Sequence, residues 1–300
     1  MDAWIPITLA AALAQTFRFM LQKQLKVTGL STAGATFARF IYSAPLVAVL
    51  ITIYARSSGQ AFPQMPGRFW VFALSGGLTQ ILATMCVVAL FSHRNFAVGI
   101  TFKKTEVVLT AIVGFVLLGE GVARAGALAI GIGLLGVLLL SDPPGGTGRF
   151  AARILNRAAG LGLLSGVFFA VSAVGYRGAS LSLGGGDVVL RAGTTLAIVT
   201  ASQTLALGLW LTWRQRGQIA RVLANWRIAG LVGVTSMIGS FFWFTAFTLQ
   251  NAAYVNALGQ VELIFSLAAS ALFFREKITP RELAGMALLG LGILVLILLL

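Results

Sequence analysis

The sequence predicts an all-α integral membrane protein of ten transmembrane helices, built as two inverted five-helix repeats. Three observations carry that expectation. Hydrophobic residues make up 58% of the 300 positions and charged residues only 10%, against about 25% charged in an ordinary soluble domain. The mean hydropathy is +0.93, so lipid must be the solvent for most of the chain. The apolar residues fall in long continuous runs, and polar landmarks recur along them at a nearly constant offset.

A membrane-spanning helix needs roughly 20 mainly apolar residues. In order, the runs are 4–24, 32–55, 68–91, 96–118 and 122–140, then 158–180, 188–213, 227–249, 252–274 and 281–299. Pro63 and Pro66 punctuate the connection after the second run, and Pro143, Pro144, Gly145 and Gly146 the one after the fifth. Trp70 and Trp226 open runs beside Arg68 and Arg227, and Trp210 and Trp213 close one before Arg214 and Arg216. Aromatic and basic residues at run ends are membrane-interface anchors. The runs are too long and continuous for barrel strands, which alternate over about ten residues. Glycines such as Gly131, Gly133 and Gly136, and Gly285, Gly290 and Gly292, sit inside runs, where small residues let helices approach closely.

Adding 156 to Gly77, Asn95, Glu106 and Glu120 gives Gly233, Asn251, Glu262 and Glu276. An offset of 159 lays Gly126, Gly131 and Gly133 on Gly285, Gly290 and Gly292, and 152 lays Arg39 on Arg191. The repeats are therefore expected at 1–141 and 158–300, joined by 142–157. Five spans per half is an odd number, so the second half enters the membrane from the opposite side. Exchanging the conformations of inverted halves turns an outward opening into an inward one, which is the logic of a secondary transporter.

Leu117-Leu118-Gly119-Glu120, followed by a short turn and a glycine-rich run, resembles the EamA repeat of the drug/metabolite transporter superfamily. The second copy reads Phe273-Phe274-Arg275-Glu276-Lys277-Ile278-Thr279-Pro280, and each turn glutamate follows an embedded glutamate, Glu106 or Glu262. The first copy departs from the pattern, with Gly121-Val122-Ala123-Arg124 in place of Thr-Pro. Within the superfamily the chain is most similar to bacterial exporters of aromatic amino acids. The resemblance implies export of amino acids, with an aromatic or apolar preference, from a central cavity between the halves, in a bacterial inner membrane. A same-fold exporter of another metabolite or drug is the first alternative. An intramembrane enzyme or scaffold is the second.

Composition excludes several other classes. The net charge of +14 is dispersed between apolar runs, which fits topology-setting loops and anionic lipid headgroups rather than nucleic acid. A single cysteine, Cys86, allows neither an intrachain disulfide nor a cysteine metal site. The one histidine, His93, ends a run and reads as a solvated residue. No metal, cofactor or catalytic constellation is expected, and the absence of a P-loop speaks against ATP-driven transport by this chain. The first run has no signal-peptide pattern and reads as a retained span. The expected partners are a small-molecule substrate and membrane lipids, with the protein a monomer.

Glu106 and Glu262 are the most informative candidates. A carboxylate at mid-membrane costs about 2.5–3.5 kcal/mol and faces the bundle interior. The pair reads either as coupling groups or, because both repeats carry it, as scaffold. Lys103 lies one helical turn from Glu106 and can pair with it, or contact a substrate carboxylate. Arg39 and Arg191 read as snorkelling or loop-paired residues. Gln15, Arg18 and Gln22 place polar groups along the first span, facing either cavity or lipid. Tyr176, Trp243 and Tyr254 are candidates for an aromatic cavity wall. Asn95 and Asn251 read as helix caps. Thirteen Lys and Arg lie in loops on the side opposite the termini and four on the termini side. That count puts both termini outside, whereas the resemblance puts them in the cytoplasm.

Overall fold

The computed structural model describes residues 2–90, 103–140, 157–265, 268 and 279–299. The described elements are helices: α1 (Trp4–Val27), α2 (Thr32–Ser57), α3 (Gly67–Leu90), α4 (Glu106–Leu118), α5 (Arg124–Leu140), α6 (Arg157–Ser182), α7 (Val188–Arg214), α8 (Gln218–Ala224), α9 (Trp226–Leu249), α10 (Ala252–Gly259) and α11 (Pro280–Leu299). Caps explain several boundaries. The Ser31 hydroxyl accepts from the Gly34 amide at 3.0 Å, Asp187 from Leu190 at 2.8 Å and Asn251 from Ala253 at 2.9 Å. Each satisfies an amide that the first helical turn leaves unpaired. Helix α4 ends on Gly119 at φ 70°, the left-handed stop that glycine adopts without penalty.

Among the described residues, seven helices are long and apolar enough to cross a membrane: α1, α2, α3, α6, α7, α9 and α11. Their limits lie within a few residues of the predicted runs. Helices α4 and α5 are apolar but shorter, at 13 and 17 residues. Two of the expected continuous spans are interrupted in their described parts. A turn at Lys104 and Thr105 precedes α4, and a turn at Gln260 separates α10 from the helical residues 261–265. Hydrophobicity averaged over a run is blind to the break, because the few polar residues at it are outnumbered by the apolar residues of the same run. The short helix α8, after Arg216, is an element the sequence reading treats as loop. His93, Asn95, Glu276, Lys277 and the Pro143–Gly146 connection lie outside the described residues.

Helices α2 and α7 run antiparallel, tied at both ends. At one end Ser31 donates its hydroxyl to Gln215 at 2.5 Å and its amide to Gln218 at 3.0 Å. At the other, Tyr54 and Gln60 donate to Asp187 at 2.7 and 2.9 Å. The adjoining loops are joined by a two-bond bridge between Gln64 and Gly184, at 3.0 and 3.1 Å. Helices α5 and α11 are also antiparallel and meet through glycine. A Cβ on Gly136 would lie 2.7 Å from the Gly285 carbonyl, and one on Gly292 would lie 2.7 Å from the Gly133 amide. Helix α3 packs on α6 with Gly175 against Gly76, while α1 packs on α9. Among the glycines the sequence singled out, Gly131 and Gly290 face open space.

The outward faces are apolar. Leu205, Leu209 and Leu298 are 67%, 70% and 76% exposed, as on a surface that lipid covers. The polar interior is the inverse. Arg18, Arg39, Lys103, Lys104 and Glu106 are all buried.

Candidate functional site

A cavity of about 600 Å³, counted with its open mouth, sits among these buried charges. Its walls come from both halves of the chain: α1, α2, α3 and the broken segment before α4, facing α6, α9, α10 and the second break. The breaks at 104 and 260 are 156 residues apart, the spacing of the repeat. An interrupted helix frees backbone groups at membrane depth, which is tolerated where they line a cavity or are covered by protein. Gly166 on α6 covers the first break. A Cβ there would stand 3.0 Å from the Lys103 carbonyl and 3.4 Å from the Glu106 amide, so only a hydrogen in place of a side chain lets the unwound backbone lie against α6.

Each break carries a lysine–glutamate contact. Lys103 Nζ lies 3.3 Å from Glu106 and 4.9 Å from the centre of the Phe169 ring. Lys104 Nζ lies 3.9 Å from Glu262, a contact that joins the two halves. Gln15 donates to the same Glu262 at 2.8 Å and accepts from Arg18 at 3.3 Å. Gln15 and Arg18 therefore face the interior, which decides between cavity and lipid. Gln22 does as well, donating to the Ala35 carbonyl at 3.5 Å.

Arg39 departs from the expectation of snorkelling. It is 4% exposed and donates to Ser236 at 2.7 Å, Ser240 at 3.1 Å and Thr84 at 3.2 Å. Its reach is taken up by hydroxyls of α3 and α9, so the guanidinium stays in the interior beside the cavity. The polar signal for this clamp lay in the sequence at the repeat offset: Gln80 and Thr84 become Ser236 and Ser240 on adding 156. Arg191 is half-buried, and its Nε makes no hydrogen bond.

The aromatic wall is formed by Tyr176, Trp243, Phe244, Phe247 and Phe169. Tyr176 stacks on Phe244 with ring centres 4.1 Å apart and donates to Gln80 at 2.6 Å. Trp243 stacks on Phe247 at 5.6 Å and lies over Gly259, where a Cβ would strike its ring. Tyr254 is placed elsewhere. Its hydroxyl accepts from the Ala123 amide at 2.8 Å and its ring fills the space over Gly126. It is absent from the cavity lining and tethers α10 to the start of α5. Its side chain points away because α10 presents Asn256, Gly259 and Gln260 to the cavity instead. The turn acid Glu120 accepts from Arg177 at 2.7 and 2.8 Å, and Arg177 also donates to the carbonyls of Phe247 and Gln250 at 2.7 Å each. Residues that sequence reasoning passed over are Gln80, Asn256 and Gln260, and Arg39 it read as snorkelling. Among the described residues no cluster of His, Cys, Asp and Glu is suited to a metal ion.

Of the predicted candidates, Gln15, Lys103, Glu106, Tyr176, Trp243 and Glu262 thus converge on one cavity. Residues 156–298 match the model of the EamA-like transporter family. A relative described as the pseudopaline exporter CntI of Pseudomonas aeruginosa is 24% identical over 274 residues, covering 91% of this chain and 90% of that protein. A solved crystal structure shares the fold with a TM-score of 0.69 at 16% identity, covering 97% of this chain and 99% of the other. The second half of this multi-pass membrane protein is thus similar to the EamA-like transporter family, and nearly its whole length is similar to a protein described as an exporter.

Proposed function

We propose that the chain is a secondary transporter that exports amino acids or close derivatives of them by alternating access, from the inner membrane of a bacterium. The observation that carries this reading is the cavity itself. It lies among buried charges, is walled by both halves, and is bounded by two helix breaks 156 residues apart. Antiparallel packing of α2 on α7, and of α5 on α11, pairs elements that correspond across the repeat, as two inverted five-helix units would. Lysine and arginine beside the cavity suit a carboxylate. Glu106, Glu262 and Gln260 suit an ammonium group, and the aromatic wall suits an apolar side chain.

The test is counterflow in proteoliposomes holding the purified protein and a panel of amino acids, with drugs and sugar phosphates as comparison. Accelerated exchange of at least one amino acid is expected. Exchange confined to the drugs or sugar phosphates would retain the transporter and remove the substrate. A second reading, export of another small metabolite, is favoured by the relative described as a pseudopaline exporter. It is separated from the first by the same panel.

A further inference from the structure

We infer that the cavity recognises a net anion, a solute carrying more carboxylates than ammonium groups. This rests on the cavity being the substrate site and narrows the class of substrate.

The argument is a charge count. Four buried cations lie at the cavity, between 2% and 4% exposed: Arg39 and Lys103 line it, and Arg18 and Lys104 stand behind the lining residues Gln15 and Glu262. Only two carboxylates accompany them, Glu106 and Glu262, and the lysines take both. Four less two leaves a net excess of two cationic charges; neither arginine makes an ion pair, and Arg18 shares Glu262 with the lysines only at longer range. Arg39 meets three neutral hydroxyls, while Arg18 meets Gln15 and has an Nε with no partner. The chain has eight acids in all, and the others do not reach this site among the described residues. Glu120 is bound to Arg177, Asp187 to Tyr54 and Gln60, and Glu282 to Thr279. Asp2 is exposed beside the start of α1, and Asp142 and Glu276 lie outside the described residues.

Charges taken out of water need partners. A zwitterion with one carboxylate and one ammonium brings no net charge and leaves the excess in place. An extra carboxylate offsets it. The cavity has donors to receive one. Arg39 engages three acceptors, and a guanidinium carries five N–H groups. The buried Nε1 of Trp243, which lines the cavity, has no partner. The unpartnered Oε1 of Gln260, on the same cavity, is an acceptor for the lone ammonium. Arg39 is held by α3 and α9 and Lys103 by the break before α4. Cations held on separate elements fit singly charged carboxylates spread over one scaffold better than a single phosphoryl group.

Three ligands that share one scaffold test this: phenylalanine, 4-carboxyphenylalanine and O-phosphotyrosine, in equilibrium binding to the detergent-purified full-length protein and in counterflow. The expected result is about tenfold tighter binding of 4-carboxyphenylalanine than of phenylalanine, as one added charge contact supplies. Arg39→Gln should erase the preference and Arg39→Lys retain most of it. Lys103→Gln gives a second reading should Arg39→Gln fold poorly. Equal or tighter binding of phenylalanine overturns the inference, and tighter binding of phosphotyrosine overturns it in favour of phosphate. Selective binding of 4-carboxyphenylalanine without flux supports the inference while removing the transport reading.

Discussion

A buried guanidinium surrounded by hydroxyls has no opposite charge against it, whereas a lysine against a carboxylate does. That contrast organises the interior at the scale of single residues. Lys103 and Lys104 are locally compensated and hold the two helix breaks in place; Arg39 and Arg18 are not. Removing an acid from a buried pair leaves its partner exposed to the low dielectric, which typically costs 3–5 kcal/mol. Glu262 is the more connected of the two carboxylates, receiving both Lys104 and Gln15. Glu262→Ala is therefore expected to lower the thermal unfolding midpoint in detergent more than Glu282→Ala, whose acid only caps Thr279 near the start of α11. Equal midpoints would show that the Lys104–Glu262 contact holds nothing together. Arg177 gives a second residue-scale expectation. It ties Glu120 and two carbonyls at the end of α9, so Arg177→Met leaves three acceptors unpaired at once. Its loss should exceed that of Arg56→Met, at an exposed helix end, in the same unfolding assay.

At the scale of elements, close approach and capping decide which helices pair. Helices α5 and α11 meet where only hydrogen atoms fit. Gly136→Ala and Gly292→Ala should each cost about 1–3 kcal/mol through overpacking against backbone that cannot step aside. Gly131→Ala and Gly290→Ala, in open space on the same helices, should be neutral or slightly stabilising through helix propensity. Unfolding midpoints of the four variants check this. Asp187 caps α7 outside the membrane span. Burial pushes its carboxyl up, but hydrogen bonds from Gln60, the Leu190 amide and Tyr54 together hold it below its ordinary value. A depressed carboxylate contributes stability that is present above the unfolded value near 3.9 and lost as pH falls through the folded one. Asp187→Asn should thus lower stability at neutral pH through loss of the charge that Gln60 and Tyr54 donate to, and the gap to the parent protein should close as the pH is lowered below about 4.

For the whole molecule, alternating access requires the halves to change their contacts at the two faces in turn. The Gln64–Gly184 bridge joins the α2–α3 loop to the α6–α7 loop on one face. A Cβ on Gly184 would stand 3.7 Å from that of Gln64, within disulfide geometry. Gly184 is not among the glycines with positive φ, so cysteine fits its backbone. In a Cys86→Ala background, Gln64→Cys with Gly184→Cys is expected to abolish flux on oxidation and regain it on reduction. Full flux in the oxidised protein would mean that this face need not open during transport.

Much of the architecture was legible because membrane helices must satisfy their backbone internally, and so announce themselves as apolar runs. The repeat offset located the two carboxylates, and all three hydroxyls that hold Arg39 fall at the same offset, in Gln80 with Ser236 and Thr84 with Ser240. The excess of buried cations was also countable. Of 22 basic residues, seventeen fall in loops or towards the ends of runs, leaving Arg18, Arg39, Lys103, Lys104 and Arg191 further inside runs that hold only Glu106 and Glu262 as interior acids. What hydropathy and spacing left undecided is direction. A helix of ordinary geometry turns through about 100° per residue, so a small rotation moves a side chain from cavity to lipid or to a neighbouring helix. Packing of α2 between α7 and α9 turned Arg39 inward, where a snorkelling residue was expected. Contact with Ala123 took Tyr254 out of the wall. The sequence by itself determined that charges sit inside a membrane protein of long apolar helices. Tertiary packing decided which of those charges neutralise one another and which face the cavity, because pairing depends on distances between helices that no single helix encodes.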